Sequence, residues 1–265
     1  MDYQYILLEK QGPIGRITLN RPDRLNALIP QVGVEFLDAM GNMEADENIR
    51  VVVVTGAGRS FCAGDDMKAD EAALTVAYRG PDHSKDYVYG VGRWTQMVAA
   101  MQHCPKPVIG MIRGHAWGAG INLALGCDLR VCSEDATFCT PFILRGQATG
   151  CNLLHYYVGL GVAMRMALLG EPMTAQEALQ WGIAYKVAPG DKLEEATLEL
   201  ATRVAALPTR SLGLSKHAIY RGWFRDAMTA YEQQGLAQTL NRYTEDLEEG
   251  RRAFIEKRPP QFKGK

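Results

Sequence analysis

The run Val51-Val52-Val53-Val54, inside the stretch from Ile49 to Thr55, constrains the fold of this 265-residue chain more than any other feature. Successive strand residues point to opposite faces. An unbroken β-branched run therefore suits a strand covered by apolar layers on both sides. A second such strand is predicted at Lys106 to Ile112, then a short helix from Gly118 to Leu125 and a strand from Asp128 to Cys132. Strands alternating with helices argue for an α/β sheet with crossover helices.

Ahead of that core, Tyr5 to Glu9 and Ile14 to Leu19 predict two strands joined by a turn at Gly12-Pro13. Asn20 to Arg24 breaks the pattern, and a helix is expected after Pro30 with Val34, Leu37, Met40 and Met43 on one face. From about Asp70 to Asp86 the chain is polar and irregular, and a mobile loop is expected. After Lys186-Val187 it turns helical: Leu193 to Ala206, Ser211 to Tyr220, and Ala227 to Glu256 with breaks. The expected division is a core over residues 1–195 and a helical region over 196–265. With 47% hydrophobic residues the chain can bury such a core.

The formal net charge of −1, without a basic stripe, argues against nucleic acid or an anionic membrane as partner. The start carries no basic segment followed by an apolar one, so no signal peptide is read, and no run is long enough to span a bilayer. The cysteines at 62, 104, 127, 132, 139 and 151 show no C-x-x-C spacing. They read as buried, reduced thiols of a cytoplasmic protein, and no metal site is expected.

Two turns carry candidate chemistry. Ser60-Phe61-Cys62-Ala63-Gly64-Asp65-Asp66-Met67-Lys68 follows the valine strand, and Arg113-Gly114-His115-Ala116-Trp117-Gly118-Ala119-Gly120-Ile121-Asn122 follows the second buried strand. Small residues allow close approach to the backbone. In the second turn they also open a helix, whose first N–H groups lack intrahelical acceptors and favour negative charge. Two such turns can aim two N–H groups at one oxygen, as an oxyanion hole requires. For either turn alone, tight turning and helix packing are the readier account of the glycines, and neither turn has the dinucleotide-binding spacing.

Asn20-Arg21-Pro22-Asp23-Arg24-Leu25-Asn26-Ala27-Leu28, Phe61 to Lys68, Gly114 to Asp128, Gly170 to Ala178, and Ala253 to Arg258 together resemble the crotonase (enoyl-CoA hydratase/isomerase) superfamily, in family order along nearly the whole chain. The resemblance implies a crotonase-like spiral of ββα units with a C-terminal helical trimerisation region that also covers the CoA pocket. It further implies a homotrimer or dimer of trimers and an acyl-CoA substrate, with coenzyme A entering only as part of the thioester and no separate cofactor. Carried over by position, the thioester oxygen falls to the N–H groups of Asp65 and Ala119. CoA contacts fall to Arg24, Leu25, Ala27, Ala63, Asp66, Met67 and Lys68, with Phe254 and Lys257 reaching a neighbouring subunit's pocket. Arg24 and Lys257 also read as plain surface cations.

The resemblance leaves the reaction open. The two glutamates of the familiar hydratases align with Asn122 and with Phe142, which follows Pro141; the aspartate of dienoyl isomerases aligns with Gly150. A positioned acid or base is worth roughly a hundred- to ten-thousandfold, so ordinary hydration is disfavoured. Hydration or isomerisation through substitute residues, malonyl-type decarboxylation, C–C hydrolysis or lysis, and catalytically silent acyl-CoA binding all remain. The Ala116-Trp117-Gly118-Ala119 and Thr140-Pro141 segments resemble the methylmalonyl-CoA decarboxylase branch, which has histidine where Asp65 stands. Asn122 is a candidate for holding substrate or water, or caps local backbone. Trp117, Thr140, Phe142 and Arg145 are candidate acyl contacts, Arg145 reading more readily as a structural ion pair and Asp66 as a structural carboxylate. His115 lies beside the second turn, His155 reads as a core histidine, and His83, Tyr87 and Trp94 are candidate acyl-pocket residues.

Overall fold

The computed structural model describes residues 1–69, 93–148, 151 and 153–265; the expected loop from Asp70 to Asp86, with His83, and also Tyr87 and Gly150, lie outside the described residues. The chain opens with β1 (Ile6–Gln11) and β2 (Ile14–Leu19), an antiparallel hairpin. Parallel to β2 lies β3 (Val51–Gly56), then β4 (Val108–Ile112), β6 (Leu129–Ser133) and β9 (Lys186–Ala188), giving a six-stranded sheet in the order β1-β2-β3-β4-β6-β9. A smaller sheet holds β5 (His115–Trp117), β7 (Thr137–Cys139) and β8 (Met173–Thr174), in that order. Twice the chain leaves the large sheet directly for the small one, from β4 to β5 and from β6 to β7. Helices return it, and this makes the crotonase-like spiral.

The helices are α1 (Pro30–Ala45), α2 (Trp94–His103), α3 (Ala119–Gly126), α4 (Leu154–Leu169), α5 (Ala175–Gln180), α6 (Leu193–Ala205), α7 (Thr209–Gly222), α8 (Ala227–Asn241) and α9 (Glu245–Glu256). All four valines of β3 are fully buried. Val52 and Val54 face the core shared with Phe36, Ala39 and Met43 of α1, while Val51 and Val53 face Leu193, Leu200, Ala201 and Val204 of α6. Each fully buried valine of this kind contributes ~1.5–3 kcal/mol. The predicted face of α1 is turned by the largest side chain: Phe36 takes the core with Val32, Ala39, Met40 and Met43, leaving Val34 and Leu37 half-buried. Glu35 is buried as well, because it accepts the Gln4 and Tyr5 amides at 3.0 and 2.7 Å.

The expected boundary at 195/196 falls inside α6, a helix that packs on β2, β3, β4, β6 and β9 and so belongs to the core. The helical tail begins at α7. It is fastened by Lys216, which donates to the carbonyls of Met101 (2.7 Å) and Lys106 (3.1 Å) and pairs with Asp128 at 2.8 Å, and by the Tyr220 hydroxyl on Asp128 at 3.0 Å. Among the described residues no helix is long and apolar enough to cross a membrane, and no His/Cys/Asp/Glu cluster is arranged for a metal.

Candidate active site

The first glycine turn lies between two other stretches of backbone. On one edge Phe61 and Cys62 donate to the carbonyls of Arg113 and His115 (both 2.8 Å), and Trp117 N donates to Cys62 O at 3.0 Å. On the other edge Ala63 donates to Leu25 O (3.0 Å), Leu28 to Gly64 O (2.8 Å) and Asp66 to Leu28 O (2.9 Å). The buried Asn26 side chain holds that edge in place, donating to Ala57 O and Ser60 O at 2.9 and 2.7 Å. Because Leu28 bridges Asp65 through the flanking residues, Asp65 turns its own N–H away from Leu28, toward the edge occupied by residues 115–119.

Here the two turns nearly touch. A methyl group on Gly64 would sit 3.0 Å from Ala119 N and 2.9 Å from Trp117 O, and one on Gly118 would sit 3.5 Å from Gly64 Cα. Both glycines have positive φ, +91° and +57°, and Gly118 at ψ −123° occupies a region closed to other residues. A side chain on Gly120 would collide with the Cys62 carbonyl, so α3 starts hard against the first turn. Ala119 is the first residue of α3, and its N–H is one of those without an i−4 acceptor inside the helix. The sequence therefore places two amide-bearing residues side by side, with glycine wherever a side chain would force them apart.

The profile of the enoyl-CoA hydratase/isomerase family matches residues 9–265. The chain belongs to that family. It is 35% identical to the 1,2-epoxyphenylacetyl-CoA isomerase of Escherichia coli K12, covering 99% of each chain. It is also 35% identical to the 2,3-dehydroadipyl-CoA hydratase of the same organism, over 98% of this chain and 99% of the other. The crystal structure of enoyl-CoA hydratase from Bacillus anthracis superposes with a TM-score of 0.87 at 30% identity, covering 99% of this chain and 100% of that one.

Within this crotonase-family fold the expected CoA contacts come together. Arg24, Leu25 and Ala27 run alongside Ala63, Asp66, Met67 and Lys68 through the ladder just described, with Arg24, Met67 and Lys68 exposed. Asp66 is buried and engaged: it accepts from Arg21 Nη2 at 2.9 Å and from the Lys68 amide at 3.0 Å. Burial alone would raise its pKa, but the Arg21 hydrogen bond, the Lys68 amide and the charges of Arg21 and Arg24 outweigh it and hold the carboxyl below its ordinary range. Arg21 also donates to the Ala27 carbonyl. Arg21 and Asn26 lie within the N-terminal motif, yet nothing in their spacing announces that they hold the first turn in place.

Near the second turn, Trp117 gives its indole N–H to Thr137 at 3.0 Å and meets His115 edge-to-face at 4.6 Å. Asn122 is buried one turn into α3. The Phe142 ring reaches within 4.0 Å of where a Gly118 side chain would start, so an aromatic edge borders the paired amides. Thr140, which follows the Cys139 whose carbonyl accepts from Gly118 N, is buried with its hydroxyl lacking a partner among the described residues. Cys62 is buried at the centre, and burial, with some help from the Asp65 charge, pushes its thiol up to about 12.

Two expectations, for Arg145 and His155, part from the structure. Arg145 is exposed, without the expected ion pair among the described residues, because it closes a surface 3-10 turn. His155 is half-buried rather than in the core, since it stands at the start of α4 and stacks on Tyr156 at 3.8 Å. Trp94 opens α2, half-buried and packed against the core. Phe254 (86% exposed) and Lys257 are exposed at the end of α9, and the contact expected of them is with a neighbouring subunit rather than within this chain.

Proposed function

We propose that the protein binds an acyl-CoA thioester, holds its carbonyl oxygen between the N–H groups of Asp65 and Ala119, and stabilises the enolate to relocate a double bond. The apposition of Gly64 and Gly118 supports this reading, because it brings the backbones that bear the two proposed donors into contact. Each such donor is worth roughly a hundred- to a thousandfold in rate. Isomerisation is preferred to hydration because Asn122 and Phe142 stand where the familiar hydratases carry carboxylates, and a phenyl edge beside the amides disfavours an ordered attacking water. A relative named as an acyl-CoA isomerase supports the same choice. The CoA moiety would lie along Arg24–Ala27 and Ala63–Lys68.

The test is isotope-edited infrared spectroscopy of a bound enoyl-CoA labelled at the thioester carbonyl, with turnover followed on β,γ-enoyl, α,β-enoyl and malonyl-type thioesters. A carbonyl stretch lowered on binding, together with β,γ to α,β conversion, is expected. An unshifted stretch would sink the oxyanion reading; loss of CO₂ or net hydration as the main reaction would sink isomerisation. The helical tail leaves Ile219, Met228, Tyr231, Tyr243, Phe254 and Ile255 more than half exposed, which supports assembly as a homotrimer or dimer of trimers, and light scattering would show a monomer if that is wrong. The cytoplasm is the proposed compartment, in keeping with six buried cysteines that form no disulfide among the described residues.

A further inference from the structure

Helix α3 begins at Ala119, and every one of its residues is buried. A helix that ends inside the protein must find donors there for its last carbonyls. Those of α3 are close at hand. The Cys127 thiol donates to Leu123 O at 3.6 Å, the Cys127 amide to Ala124 O at 3.2 Å, and the Tyr157 hydroxyl to Leu125 O at 3.1 Å. The last donor is a full charge. Arg130, on β6 and 6% exposed, donates through Nη1 to Ala124 O at 3.3 Å and to Cys127 O, and through Nε to the Ile183 carbonyl. Its guanidinium stands 5.8 Å from the centre of the Tyr157 ring. Glycine on the neighbouring strand makes room for the stem, since a methyl group on Gly110 would meet Arg130 Cγ at 3.4 Å.

Among the described residues no carboxylate pairs with this guanidinium. Asp128, two positions away, is taken by Lys216 at 2.8 Å, by the Tyr220 hydroxyl at 3.0 Å and by the Val108 amide at 2.7 Å. Two cations and one anion leave a net positive charge here, and its counterpart is the carbonyl end of α3, which carries partial negative charge. The helix cannot slide away from that charge. Gly120 abuts the Cys62 carbonyl at one end, and at the other a methyl group on Gly126 would sit 2.8 Å from Met101 Cε.

We infer that Arg130 is a positioning residue of the thioester site that acts through α3, its charge strengthening the pull of the helix's N–H end on the substrate oxygen. The inference rests on the reading of the Ala119 N–H as an oxyanion donor. A cation at the carbonyl end cancels the pole that would repel an oxyanion and adds an attraction of its own. Eight residues of helix rise about 12 Å. At about 12–15 Å and an effective dielectric of about 20, one charge favours an opposite one by roughly five- to tenfold. The enolate oxygen carries more charge than the ground-state carbonyl, so the effect falls on kcat more than on affinity.

The experiment compares the full-length wild type with Arg130→Gln, which keeps donors but no charge, and Arg130→Lys, which keeps the charge. Binding and the carbonyl stretch are read with carbonyl-labelled trans-2-hexenoyl-CoA, and kcat with trans-3-hexenoyl-CoA. In Arg130→Gln the expected result is near-normal affinity, part of the carbonyl shift lost, and kcat lower by roughly five- to tenfold. Arg130→Lys should keep the carbonyl shift and most of kcat. A glutamine variant with wild-type stretch and kcat overturns the inference, as does a folded lysine variant that has lost the carbonyl shift. The second outcome decides even where the glutamine chain does not fold. An unshifted stretch in the wild type overturns the oxyanion reading itself, which separates the two failures.

Discussion

Replacing Arg21 by methionine tests whether the first glycine turn is held by a buried charge pair. The Arg21–Asp66 contact is 2.9 Å, with side chains 15% and 7% exposed. Methionine keeps much of the arginine stem's bulk but removes the guanidinium from Asp66 and from the Ala27 carbonyl. Asp66 is left buried with the Lys68 amide as its remaining described donor. Breaking one side of a fully buried pair costs ~3–5 kcal/mol; the residual exposure here puts the figure near the lower end. For a chain of this size about 3 kcal/mol corresponds to a Tm loss of ~6–12 °C.

The pH dependence fixes the cause. In the wild type the Asp66 pKa is depressed, so its contribution is complete above the ordinary carboxylate pKa and is lost as the pH falls through the lower, folded value. In the variant burial acts with far less opposition and raises the Asp66 pKa, so protonation relieves the unpaired charge early. The Tm gap between wild type and Arg21→Met should be widest at neutral pH and shrink toward about pH 4, and the double variant Arg21→Met/Asp66→Asn should recover most of the loss. Differential scanning calorimetry across that range decides it. A gap that does not change with pH, or a double variant no more stable than the single one, would refute the reasoning.

Four other outcomes follow from the same contacts. Gly64→Ala inserts a methyl 3.0 Å from Ala119 N at a positive φ, so kcat should fall by roughly a hundredfold or more if the folded protein still binds CoA; near-normal turnover would show that the two amides do not share a ligand. Asn122→Glu/Phe142→Glu should raise hydration of crotonyl-CoA, since each restored acid or base can supply about a hundredfold or more; hydration no faster than in the wild type would mean that the pocket has diverged elsewhere. Thr140→Val removes a buried hydroxyl without a described partner, so stability should hold or rise by up to ~1–3 kcal/mol, and a clear drop in Tm would reveal a missed hydrogen bond. Burial raises the thiols of Cys62, Cys127, Cys132 and Cys151 to about 12 and that of Cys139 to about 11, so these thiols should be slow toward a disulfide reagent until the protein is unfolded; rapid native labelling at neutral pH would contradict their burial.

What could be read from the sequence was set by local rules. The valine strand, the two glycine turns and the start of α3 follow from strand alternation and from the special conformations open to glycine, and the structure puts each of them where those rules point. Long-range pairings were not readable in that way. Arg21 meets Asp66 across 45 positions and Lys216 reaches Asp128 across 88, and no local pattern marks either cation as half of such a pair. The face of α1 escaped for a related reason: its 3.6-residue period allows more than one stripe, and the fit of Phe36 beneath the sheet selects among them. The limit of the core escaped because a change from mixed to purely helical composition does not coincide with a change in packing, and α6 still covers the large sheet.

The candidate site shows the same division between backbone and side chain. An oxyanion hole made of main-chain amides depends on glycines that let two loops meet, so almost any side chain can occupy positions 65 and 119 without disturbing it, provided that side chain points elsewhere. On the proposed reading the motif accounts for thioester chemistry and leaves the reaction unspecified. What the proposed enolate does next depends on side chains projecting from separate elements, Asn122 from the interior of α3 and Phe142 from the turn after β7. The Asp65 amide belongs to the turn that Arg21 fastens through Asp66 and the Ala27 carbonyl, so a shift of that turn would change the grip on the thioester oxygen. Loosening it with Arg21→Met should therefore lower carbonyl polarisation and turnover in parallel, and a variant with a weakened carbonyl shift but normal turnover would show that the first turn does not contribute to the rate.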